Sequence, residues 1–150
     1  MRKIRVLSCL AAVVALMAFL PAGASAATSG RSQYCAPSPG GLCGSVTAHL
    51  IGDGLNQLTG QTSITDRNPY CGVVYIPNEQ GWVRVWWNDG YSHYYGKVNG
   101  YCGAVPQTAN FTTPVRSGTY PHYFQFLACP NRVVNGNYSA CRLGKKVTVE

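Results

Sequence analysis

Acidic side chains are scarce in this sequence. Asp53, Asp66, Glu79, Asp89 and Glu150 are the five carboxylates in 150 residues. Glycoside hydrolysis needs two carboxylates flanking the scissile bond. Asp89 is spent on a turn, Glu79 falls in the loop 77–81 and Glu150 is terminal, so Asp53 with Asp66 is nominated by elimination alone. Hard cations need several oxygen ligands, and Asp53-Gly54 with Asn56 reads as a turn rather than a calcium loop. Also missing are the G-x-S-x-G nucleophile elbow, both glycine-rich phosphate loops and the H-E-x-x-H zinc helix. Histidine is limited to His49, His93 and His122 on separate segments, which argues against a metal centre. Neither a metal nor a cofactor is expected.

After residue 26 no apolar run approaches membrane-spanning length. The run before it, residues 6–20, follows Arg2, Lys3 and Arg5, is broken by Pro21 and leads to the small-x-small site Ala24-Ser25-Ala26. That order is a secretory signal peptide of bacterial character over 1–26, preceding a single secreted domain over 27–150 without a transmembrane anchor. Its removal leaves nine cationic side chains against five carboxylates, a net charge of +4. So small an excess argues against nucleic acid as the partner.

Charge is replaced by Gly, Asn, Thr, Ser and ten tyrosines. Abundant aromatics mark a folded chain rather than a disordered one. Six cysteines follow the signal: Cys35, Cys43, Cys71, Cys102, Cys129 and Cys141. An even number in an exported chain reads as three disulfides, and the close C-x₂₋₄-C pairs of a zinc site are lacking. Of the possible pairings, the nearest-neighbour set is favoured. Cys35 and Cys43 flank the Pro/Gly loop 36–42, Cys129 and Cys141 face each other across a turn at Asn135-Gly136, and Cys71 is left with Cys102.

Strand-forming residues dominate 45–51, 71–76, 82–87, 92–98, 101–105, 123–129, 137–142 and 146–149. Asp89-Gly90, Asn99-Gly100 and Asn135-Gly136 supply the positive φ of two-residue hairpin turns. Residues 27–33 read as a loose lead, and 106–121, with three prolines, as a long surface loop. No helical period is evident. The expected fold is all-β, a compact disulfide-stapled antiparallel β-sandwich or small barrel.

The hairpin around Asp89-Gly90 carries most of the functional information. A two-residue loop sets Trp87 opposite Ser92, Trp86 opposite His93, Arg84 opposite Tyr95 and Trp82 opposite Lys97. Val83, Val85, Trp87, Tyr94 and Val98 then form the core face. Trp82, Arg84, Trp86, His93, Tyr95 and Lys97 form the other, too cationic to be ordinary core. Rings give contact area at low entropy cost, and the cations and imidazole give directional bonds. The alternative for this face is that Trp82 and Trp86 pack beneath 106–121, with Arg84 stacked on a ring. A meander through Asn99-Gly100 would also bring Cys102 opposite Lys97. A three-residue loop would shift this register by one.

The stretch Asp89-Gly90, Tyr94-Tyr95-Gly96, Val98 and Cys102-Gly103, with Cys43-Gly44-Ser45 upstream, is similar to small secreted spore-associated proteins of filamentous actinobacteria. It implies no function. The leading functional expectation is a secreted, non-catalytic binding protein using the hairpin face, its partner a cell-surface or wall glycan or an extracellular protein. A protease inhibitor presenting the Cys35–Cys43 loop, stiffened by Pro37 and Pro39, is a second. A small hydrolase or nuclease using His93 or His122 is the third. Arg142, Lys145 and Lys146 read as protection of an edge strand.

Overall fold

The computed structural model describes residues 30–37, 41–67, 78–102 and 105–149. The expected signal peptide, 1–26, and the expected strand 71–76 lie outside them. Nine strands follow in order: β1 (Gly30–Cys35), β2 (Leu42–Ile51), β3 (Gln57–Asp66), β4 (Gln80–Trp87), β5 (Ser92–Asn99), β6 (Gln107–Thr112), β7 (Pro121–Cys129), β8 (Arg142–Leu143) and β9 (Val147–Thr148). There is no helix among the described residues, and hence none long and apolar enough to cross a membrane.

The strands form two antiparallel sheets, β1-β2-β3-β6 and β5-β4-β7-β8, with β9 pairing on the same edge of β7 as β8. Their inner faces meet in one core. Val46, Ala48, Leu50, Leu58 and Phe111 come from the first sheet, and Val83, Val85, Trp87, Phe124, Phe126 and Ala128 from the second. β5 lies beside β6, and β1 beside β7, β8 and β9, so the sheets approach each other at both margins. The expected disulfide-stapled all-β sandwich is therefore the fold.

Two staples join the expected partners, Cys35–Cys43 and Cys129–Cys141. Cys35 and Cys43 are also directly opposed in the β1–β2 ladder. Cys102 is disulfide-bonded, and Cys71, expected as its partner, lies outside the described residues.

Several segments differ from the sequence reading. Residues 30–35 are not a loose lead but the edge strand β1, whose one fully buried side chain is the polar Ser32. β3 was not anticipated because its inward set, Leu58, Gly60, Thr62 and Ile64, mixes apolar, small and polar residues and so hides the alternation. Part of the supposed loop 106–121 is β6, paired with β3 through Thr59↔Thr112 to Ile64↔Gln107. Residues 137–141 form no strand. The Asn135-Gly136 turn does form: both residues have positive φ, and Asn137 N–H donates to Val134 O at 3.0 Å. Asn99-Gly100 makes no hairpin. Gly100 N–H donates to Glu79 O at 2.8 Å, and the chain crosses to the first sheet, where Cys102 bridges in parallel to Asp66 rather than facing Lys97.

Candidate functional site

The β4–β5 connection has three loop residues, Asn88, Asp89 and Gly90. Trp87 N–H donates to Tyr91 O at 2.9 Å and Gly90 N–H returns to Trp87 O at 3.0 Å. Gly90, at φ 86°, takes the left-handed position that a three-residue hairpin places before its second strand. The register is thus one residue off the two-residue expectation: Trp86↔Ser92, Val85↔His93, Arg84↔Tyr94 and Val83↔Tyr95. Since paired residues share a face, His93 and Tyr95 leave the proposed surface and Tyr94 joins it. Tyr95 packs with Trp87 and Phe111, ring centroids 6.1 and 6.5 Å away. Burial pushes its phenol pKa up, with Tyr91 adding to the shift. His93 stays exposed at the sheet edge between Tyr91 and Tyr95.

Lys97 does share the outer face with Trp82, for a reason the sequence reading did not contain. The ladder shifts again between Gly81 and Val83, and Gly96 there has φ 60°. This bulge inserts one residue into β5 and restores the original sidedness. Val98 falls opposite Gly81 on the core side, and Lys97 Nζ lies 5.8 Å from the Trp82 ring.

β7 completes the surface. Its register sets Tyr123 beside Trp86, Gln125 beside Arg84 and Leu127 beside Trp82. The segment between β7 and β9 covers it from above, not residues 106–121 as the buried alternative supposed. Held by the Cys129–Cys141 staple, that segment lays Tyr138 flat on Tyr94, with centroids 3.6 Å apart and planes within 10°. Tyr138 also meets the Trp82 ring edge-on at 5.4 Å. Burial, then the neighbouring Tyr94, raises the Tyr138 pKa above the ordinary phenol value. Lys146 Nζ sits 4.6 Å from the Trp86 ring centre and 4.1 Å from that of Tyr123.

Arg84 is the centre of this arrangement. Its guanidinium carbon lies 4.5 Å from the Trp86 ring and 5.5 Å from that of Tyr94, so the expectation that it stacks on a ring holds. Nε and Nη2 both donate to Ser92 Oγ, at 3.1 and 2.8 Å. Beside it opens a cleft of about 390 Å³ lined by Arg84, Tyr94, Gln125, Asn137, Tyr138 and Ser139, among others. Among the described residues no carboxylate lines it. Asp89 is engaged at the hairpin tip, where the Tyr91 N–H, chiefly, and Arg116 hold its carboxyl below the usual range.

Of the six expected site residues, Trp82, Arg84, Trp86 and Lys97 share the outer face, whereas His93 and Tyr95 do not. Ser92, Tyr94, Tyr123, Gln125, Tyr138 and Lys146 were missed. The first two were recoverable from a three-residue loop. The others come from distant segments that no local pattern connects to β4.

The remaining candidates are scattered. His122 packs on Tyr123 and Tyr120, with no ring contact or hydrogen bond to His93 among the described residues. The loop 36–42 is closed by Ala36 N–H donating to Leu42 O at 3.0 Å, but its middle, 38–40, lies outside the described residues. Among the described residues no group of His, Cys, Asp and Glu could hold a metal ion. Comparison with protein-family models, curated proteins and solved structures gives no match to this chain.

Proposed function

We propose that this protein is a secreted, non-catalytic binding protein whose ligand is an extracellular glycan held in the cleft beside Arg84. The observation that carries this reading is the composition of the cleft. An oriented guanidinium, the stacked Tyr94–Tyr138 pair and the polar side chains of Gln125, Asn137 and Ser139 converge on a space of about 390 Å³. Small-ligand sites run from about 300 Å³ upward, with a few placed polar groups among rings. Disulfides accord with an oxidising compartment. The rings act here less as open platforms than as supports, because Tyr138 covers Tyr94 while Arg84 and Lys146 lie on Trp86.

The test is titration of the purified protein with soluble oligosaccharides, neutral and acidic, read by tryptophan fluorescence and calorimetry. Arg84→Ala and Tyr138→Ala should each weaken binding by tenfold or more, about 1.4 kcal/mol or above, whereas His93→Ala should leave it unchanged. Saturable binding that survives both cleft substitutions would move the site elsewhere. Loss of binding in His93→Ala alone would favour the other face.

A further inference from the structure

The guanidinium of Arg84 offers two forked edges for bidentate bonds, one made by Nε with Nη2 and the other by Nη1 with Nη2. Ser92 Oγ occupies the first, at 3.1 and 2.8 Å. The guanidinium carbon also lies over the Trp86 and Tyr94 rings, which limits where the group can swing. The second edge has no acceptor within the protein among the described residues. Arg84 is half-buried, and two further cations flank it, Lys146 over Trp86 and Lys97 over Trp82. Gln125, beside it in the cleft, carries no charge, and its Nε2 donates to Gly144 O at 2.7 Å.

Resting on the glycan reading above, we infer that the cleft selects an anionic sugar, one whose carboxylate or sulfate oxygens take the free Nη1–Nη2 edge of Arg84. A planar carboxylate, or two terminal oxygens of a tetrahedral sulfate ester, matches that fork with two parallel charge-assisted bonds. A neutral sugar would leave a partly desolvated guanidinium without a counter-charge, which costs binding energy. Single-stranded nucleic acid is also anionic, but its bases bind by stacking on open rings. The Tyr94 face is covered by Tyr138, and Arg84 and Lys146 lie on Trp86. Ser92 is then a positioning residue: it touches no ligand and aims the guanidinium.

The experiment compares four probes by calorimetry at low and at physiological salt: trigalacturonate, its methyl ester, a sulfated galactan oligosaccharide and a short single-stranded oligonucleotide. Trigalacturonate, the sulfated oligosaccharide or both should bind about tenfold or more tighter than the methyl ester. Whichever of the two binds assigns the anion to carboxylate or sulfate. Arg84→Lys keeps the charge but loses the fork, and should cost most of that preference. Ser92→Ala should reduce the acid-to-ester ratio several-fold with an unchanged melting temperature, which a merely structural role would not do. Equal binding of acid and ester, still sensitive to Tyr138→Ala, would overturn the anion inference while leaving the glycan reading standing. Preference for the oligonucleotide over every sugar would overturn it in favour of nucleic acid. Absence of binding by the acidic sugars, the ester and neutral oligosaccharides alike would remove both readings together.

Discussion

Ser32 shows how much one small hydroxyl can do in this fold. It is 1% exposed, and its Oγ donates to Lys145 O while accepting from Phe126 N–H at 2.9 Å. Phe126 sits on the stretch of β7 between its pairings with β8 and β9. Ser32 therefore supplies from the first sheet the acceptor that the short edge strands of the second do not, and so stitches one margin of the sandwich. A serine inside a polar N-terminal stretch gives no local sign of this role. Ser32→Ala strands a buried N–H and leaves Lys145 O without this donor. It should cost about 1–3 kcal/mol and several degrees of Tm, measured by thermal unfolding. Unchanged melting would show that the bridging bonds contribute nothing. At Arg84 the same residue-scale logic runs the other way: sequence alone flagged a cation on an aromatic face, and the hydroxyl of Ser92 gives it a direction.

Among the elements, the β4–β5 hairpin determines what the outer face contains. Side chains alternate along β4 whatever its partner does, so Trp82, Arg84 and Trp86 were correctly grouped from sequence, as were Val83 and Val85 on the core side. The cross-strand partners depend on loop length, and one extra residue moves every β5 side chain to the opposite face. Asp89-Gly90 fits a two-residue turn and a three-residue loop ending in glycine equally well. The bulge at Gly96 then reverses the shift for Lys97. An added Cβ at Gly96 would lie 2.3 Å from Thr62 Oγ1 and 3.0 Å from the Phe111 ring, at φ 60°. Gly96→Ala should therefore destabilise the protein by roughly 1–3 kcal/mol, seen as a lower urea midpoint. It should also displace Lys97 from Trp82. A midpoint equal to wild type would mean that the bulge is readily absorbed elsewhere.

For the molecule as a whole, the two described staples should separate stability from binding. Each closes a short loop, and losing either by paired Cys→Ala substitution should cost roughly 2–4 kcal/mol in chemical denaturation. Removing Cys129–Cys141 should also weaken ligand binding, because that bridge holds the segment bearing Tyr138 over Tyr94. Removing Cys35–Cys43 should leave affinity unchanged, since β1 lies on the other sheet. Equal effects on affinity would show that Tyr138 is held in place by packing alone. The sequence by itself determined the all-β class and the division of β4 into a core face and an aromatic, cationic face, and it favoured these two pairings among the possible ones. Those features follow from side-chain alternation, turn chemistry and short cysteine spacings, all of which act over a dozen residues or fewer. Only the tertiary structure decided that His93 and Tyr95 fall on the wrong side, that residues 30–35 and 57–66 are strands, and that the segment after β7 roofs the site. Those outcomes depend on loop closure and on contacts between residues such as Arg84, Tyr138 and Lys146, which the sheet brings together across long stretches of chain.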